Sequence, residues 1–143
     1  MTARLIIAER SGFWAAALRI ELQETGVRLW EAGPRPALPD LLAKSPASFL
    51  ILELTAGNAA WTIDALEQLE FRWPNVRAAI VAHRNLAEYE WLLREAGAMH
   101  FLTSPRRLAP LVDLACRHLA AAPTPKQTLS DRIWATLPWG ETR

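Results

Sequence analysis

Glu9 follows the apolar run Arg4 to Ala8, and Glu53 is the one charged residue in the run Ser48 to Leu54. If both runs are strands of one parallel sheet, the two carboxylates meet across its C-terminal edge, where open α/β folds bind ligands. Together with the Thr55 carbonyl they make a weak oxygen set for a divalent cation such as Mg²⁺. The competing expectation is that both are solvated or paired with Arg10 or Arg84. His83 and His100 lack the acidic or cysteine companions of a metal site or a triad, so they are read as surface or strand-end residues. Cys116, the only cysteine, reads as a small packing residue and excludes an internal disulfide. No nucleophile with a base partner can be identified. The expectation is a protein that is not an enzyme and carries no cofactor.

The elements that must position these residues follow from hydrophobic patterning. Arg4 to Ala8 reads as a buried strand. Ser11 is placed to cap a helix with stripes Phe13, Ala17, Ile20 and Trp14, Leu18, Leu22, closed by Gly26. Val27 to Trp30 is a short second strand, and a weak helix surrounds Leu38, Leu41 and Leu42. Ser48 to Leu54 is the third strand, Thr55 to Asn58 the turn after it, and Ala59 to Arg72 a helix that Pro74 stops. Leu66, Leu69 and Trp73 share that helix's inner face. Arg77 to Ala82 is the fourth strand. Asn85 and Glu88 have capping-box spacing at the start of a fourth helix whose inner stripe is Leu86, Tyr89, Leu92, Leu93 and Ala96. Gly97 ends it, and Met99 to Thr103 is the fifth strand. Ser104 and Pro105 open a last helix with Leu108, Leu111, Val112, Ala115 and Leu119 inward. Five strand-helix units imply right-handed crossovers and a parallel sheet covered on both faces.

The chain has 143 residues and 51% hydrophobic content, enough for one core and too few for two domains. Sixteen Lys and Arg against 15 Asp and Glu leave a net charge of +1, so no strong field draws it to nucleic acid or an acidic membrane. No apolar run approaches the roughly 20 residues of a membrane helix. Glu9 and Arg10 interrupt the first apolar run too early for a secretory signal. A cytoplasmic protein is expected. Residues 1–122 form the domain, and residues 123–143 a linker and a short amphipathic helical tail with Leu129, Ile133 and Leu137 in phase and Trp134 beside them. The tail is too short for an independent DNA-binding domain, which needs about 40 residues or more.

The segments Arg-Glu-Ala-Gly-Ala-Met-His-Phe-Leu-Thr-Ser-Pro at 94–105 and Glu24-Thr-Gly-Val-Arg-Leu-Trp-Glu-Ala-Gly33 carry a family likeness. On them the chain resembles the receiver domains of two-component response regulators. That resemblance implies a flavodoxin-like three-layer α/β/α sandwich with a five-stranded parallel sheet in the order 2-1-3-4-5. It also implies four chemical stations: an acidic pair for Mg²⁺, a phospho-accepting aspartate, a hydroxyl and a lysine. Here they are Ala8 with Glu9, Glu53, Ala82 and Ser104. The extra methylene of Glu53 moves the carboxylate by about a bond length, which in-line transfer tolerates poorly. Ala82 has no hydroxyl and Ser104 no charge. A glutamate can also stand in for phospho-aspartate, but such a mimic works by drawing on the hydroxyl and the lysine.

The expectation is therefore a stand-alone pseudo-receiver that acts without phosphorylation as a protein-interaction module in signal transduction. Its partner is another signalling protein or a second copy. Trp91 falls on the outward side of the fourth helix, and with Ile133 and Trp134 of the tail it marks the candidate surface. Two alternatives compete with it. A flavodoxin-like domain binding a nucleotide or other small ligand fits poorly with Glu9-Arg-Ser-Gly12, which has one glycine and an acid that repels phosphate. A receiver that retains weak Mg²⁺ binding is the other.

Overall fold

The computed structural model describes residues 3–122; the tail residues named above, Ile133 and Trp134 among them, lie outside the described residues. Strands β1 (Leu5–Ala8), β2 (Leu29–Ala32), β3 (Phe49–Leu54), β4 (Arg77–Ala82) and β5 (His100–Leu102) alternate with helices α1 (Phe13–Leu22), α2 (Leu38–Leu42), α3 (Ala59–Arg72), α4 (Glu90–Glu95) and α5 (Leu108–Ala121). All four strand pairings are parallel, in the order β2-β1-β3-β4-β5. The fold is thus the three-layer, flavodoxin-like sandwich expected. Among the described residues, no helix is long and apolar enough to cross a membrane.

The central strands read as continuous apolar runs because both faces are covered, and successive side chains enter opposite cores. Ile6, Ala8, Leu50, Leu52, Leu54 and Ile80 pack beneath α2, α3 and α4, with Leu66, Leu69 and Leu93. Leu5, Ile7, Phe49, Ile51, Ala79 and Val81 pack beneath α1 and α5, with Trp14, Leu18, Leu111 and Ala115. Trp73 sits half-buried against the first core, as its phase predicts.

Several local expectations need correction. β2 begins two residues later than the apolar reading, because Thr25 extends the turn. Its hydroxyl donates to the Leu22 carbonyl at 2.8 Å and accepts from the Val27 amide at 3.2 Å, and pairing then starts at Leu5 with Leu29. On α1 Trp14, Leu18 and Leu22 face the sheet with Ala15, and of the other stripe Ala17 alone packs at the core's edge; Phe13 and Ile20 are exposed, because one helix cannot turn two such stripes fully onto one sheet. The fourth helix begins as a 3₁₀ turn over Arg84–Tyr89, capped by the His83 Nδ1 accepting from the Asn85 amide at 3.2 Å, in place of the capping box. The tighter winding shifts the helical phase, and Leu92 is exposed while Leu93 is buried. Gly97, at φ +122°, adopts a backbone conformation that disfavours other residues and ends the helix as expected.

Candidate functional site

The parallel register brings the C-terminal ends of β1, β3, β4 and β5 to one edge of the sheet. Ala8 lies beside Leu52, and Glu53 beside Val81. After β1 the chain turns through Gly12, whose φ of +80° is accessible chiefly to glycine, directly into α1. The Ser11 hydroxyl, the cap that the sequence predicts, accepts among the described residues from the Phe13 amide alone, at 3.2 Å. The capping group is Glu9. Its carboxylate accepts from the Trp14 amide at 3.2 Å and from the Ala15 amide at 3.2 Å, although the residue is only 6% exposed. Burial, and secondarily the charge of Glu53, push its pKa above the ordinary carboxylate value, while the Ala15 and Trp14 amides pull it down.

Glu53 is half-buried at the other side of the edge. Its Oε1 accepts from the Arg10 amide at 3.4 Å. The expected pairing of either glutamate with the Arg10 or Arg84 side chain is not formed: the described ion pairs join Arg19 to Glu31, Arg94 to Glu90 and Arg117 to Asp113. Arg10 contributes its backbone N–H instead, because the turn after β1 presents that amide to β3.

Two residues that patterning passed over organise the same edge. Asn58, buried, donates from Nδ2 to the Glu53 carbonyl at 2.7 Å and accepts at Oδ1 from the Thr55 amide at 2.7 Å. Its own backbone N–H donates to the Thr55 carbonyl at 3.3 Å, so that carbonyl, offered as a cation ligand, already has a partner. An asparagine just before a helix is the available signal, since its amide readily bonds nearby backbone. Arg35 reaches from the β2–α2 loop to the Gly57 carbonyl at 3.0 Å and walls one side.

Glu53 separates two cavities. One, of about 650 Å³, lies between Glu9, Arg35, Glu53 and Asn58. The other, of about 450 Å³, is lined by Phe13, Glu53, Ala82, Arg84 and Ser104. The three stations expected for acceptor, hydroxyl and lysine therefore share one cavity. Ala82 is fully buried at the end of β4, and the Ser104 hydroxyl accepts from the Arg106 amide at 3.3 Å, capping the turn before α5. Among the described residues, no group of three or more His, Cys, Asp or Glu side chains could hold a metal ion. His83 is an exposed strand-end residue; His100 begins β5 with its Nε2 buried and without a hydrogen-bond partner. Burial, then the charge of Arg94, lowers the His100 pKa from its ordinary value.

Away from the edge, Trp91 is 72% exposed on α4, with Leu92 beside it, and Met99 follows α4 with its carbonyl 3.4 Å from Arg94.

No protein-family model and no curated protein matches the sequence. Solved structures do match the fold. A response regulator from Thermotoga maritima superposes with a TM-score of 0.64 at 12% identity, over 85% of this chain and 100% of its own. A CheY-like protein (tadZ) from Pseudomonas aeruginosa PAO1 gives 0.61 at 18%, over 87% and 99%. A response regulator from Burkholderia pseudomallei, solved with a phosphorylated aspartic acid, a calcium ion and citrate, gives 0.54 at 17%, over 92% and 71%. The chain has the fold of response-regulator receiver domains.

Proposed function

We infer that this is a receiver-like domain that works without phosphorylation, as a protein-interaction module in two-component-type signalling in the cytoplasm, and that it is not an enzyme. One observation carries the reading: the cavity where acceptor, hydroxyl and lysine would cooperate is lined by Glu53, Ala82 and Ser104. A carboxylate on a longer arm, a methyl group where a hydroxyl would serve and an uncharged side chain where a lysine would serve remove the acceptor geometry and two of the groups that would hold the transferred phosphoryl oxygens. The B. pseudomallei neighbour, by contrast, holds a phosphorylated aspartic acid. Glu9 strengthens the reading, since the carboxylate a metal would need is engaged by α1.

Interaction then falls to a surface, and Trp91 with Leu92 and Met99 supports the α4 side as that surface. Exposed tryptophan is costly to leave in water and is enriched among residues that dominate protein interfaces. The partner is a signalling protein or a second copy of the chain.

The test pairs two measurements on the full chain. Incubation with a small-molecule phosphodonor and Mg²⁺ should leave the intact mass unchanged, and Trp91→Ala should weaken self-association in sedimentation or capture of a signalling partner. A stable gain of one phosphoryl group at Glu53 overturns phosphorylation independence. Association and capture untouched by Trp91→Ala overturn the α4 surface.

A further inference from the structure

The cavity of about 450 Å³ at the ends of β3, β4 and β5 has chemistry that a protein-interaction role does not use. Glu53 and Arg84 both line it, yet neither forms an ion pair with the other or with any other described residue. Opposite charges that share a cavity without touching suit a ligand that carries both signs. A plain anion would meet Glu53 unfavourably, and a plain amine would meet Arg84.

Among the described residues, the carboxylate of Glu53 accepts a single bond, from the Arg10 amide at 3.4 Å, which leaves most of its lone pairs open to a donor. Ala82 takes up little of the space. Phe13 and Trp14 also line the cavity, with ring centroids 5.5 Å apart and planes at 85°. Trp14 is buried, while Phe13 is 56% exposed. An exposed aromatic ring beside a cavity offers an apolar body a rigid surface at small entropic cost.

We propose that this cavity binds a small aromatic zwitterion of the α-amino-acid class. Its ammonium pairs with Glu53, its carboxylate with Arg84, and its ring lies against Phe13, which Trp14 backs edge-on. The half-buried position of Glu53 strengthens the charge-assisted hydrogen bond by limiting competition from water.

The test is an amide NMR titration of the full chain with L-phenylalanine, phenethylamine and hydrocinnamate at millimolar concentrations. Saturable shifts at Thr103 and Ser104 are expected, with phenylalanine about tenfold tighter than either analogue, because each analogue forfeits one charge-assisted pair. Glu53→Gln should erase the advantage over hydrocinnamate and keep that over phenethylamine; Arg84→Ala should do the reverse. A general loss of structure would move both ratios together. The proposal is overturned by the absence of saturable shifts at those amides, by equal affinity for the three probes, or by ratios that the two substitutions fail to separate. Failure here leaves the interaction reading intact, since that reading is tested by phosphorylation and association.

Discussion

At the end of β1 the carboxylate of Glu9 is buried and takes amide hydrogens from Trp14 and Ala15; at the end of β3 that of Glu53 is half-buried and takes one long bond from Arg10. The same side chain type thus meets two environments on one sheet edge. A helix N-terminus has N–H groups with no partner inside the helix, and a buried carboxylate needs donors to offset its lost hydration. Glu9 answers both needs at once, so its position is set by the fold. Glu53 has no such obligation, and that leaves it available to other partners. The difference teaches that an acid at a strand end becomes structural when the next helix starts close enough for its amides to claim it.

The largest expected effect separates the two ends directly. Glu9→Ala leaves the buried Trp14 and Ala15 amides without their acceptor. This should cost about 1–3 kcal/mol, read as a lower urea midpoint at unchanged slope. Glu53→Ala should stay within about 0.5 kcal/mol of the parent chain. Equal losses would erase the distinction between the ends.

A smaller effect sharpens it through pH. Burial and the Glu53 charge raise the Glu9 pKa above the ordinary 4.5, so the folded chain holds this proton more tightly than the unfolded chain. The resulting stabilisation is complete below 4.5 and is lost as pH rises through the folded value. Glu9→Gln keeps an acceptor oxygen for the helix amides and removes the titration. The stability of the parent chain relative to this variant should therefore fall as pH climbs from 4.5 through that window, then level off. Urea unfolding at a series of pH values measures it. A difference that is flat or rises with pH would show that burial and the Glu53 charge do not govern Glu9.

Much of this molecule is legible in its residues, for reasons that also mark where legibility stops. Ala59–Arg72 and Arg77–Ala82 match their sequence-derived limits because Pro74 and the apolar run leave little choice. The sheet order follows from the strand-helix alternation together with the family likeness. β2 starts later than its apolar run because the Thr25 turn competes locally with strand pairing, and short apolar runs do not reveal that. The outward turn of Phe13 and Ile20 was hidden because two stripes of α1 are equally apolar, and only the sheet chooses between them. At the edge, Glu9 and Glu53 were identifiable as strand-end acids. The hydrogen bonds of Glu9 to amides five and six residues ahead depend on the sharp turn at Gly12, a geometry that residue types suggest but do not specify. The residue pattern places Asn58 in a turn without showing that its side chain ties β3 to that turn.

The smallest expected effect concerns Mg²⁺, which at millimolar concentration should hardly move the melting temperature. A cation at this edge must either draw Glu9 off the Trp14 and Ala15 amides or depend on Glu53 and a Thr55 carbonyl already bonded to the Asn58 amide. The first route exposes buried amides, and the second offers one available carboxylate to an ion that dehydrates reluctantly. A ligand held well below its dissociation constant adds almost nothing to stability. Scanning calorimetry of the parent chain and of Glu53→Gln, each with and without Mg²⁺, makes the measurement. A marked rise in the parent that Glu53→Gln abolishes would mean that Glu53 serves a cation with Glu9 close by. The two strand ends would then act as one acidic site, and the contrast between a committed and an available glutamate would fail.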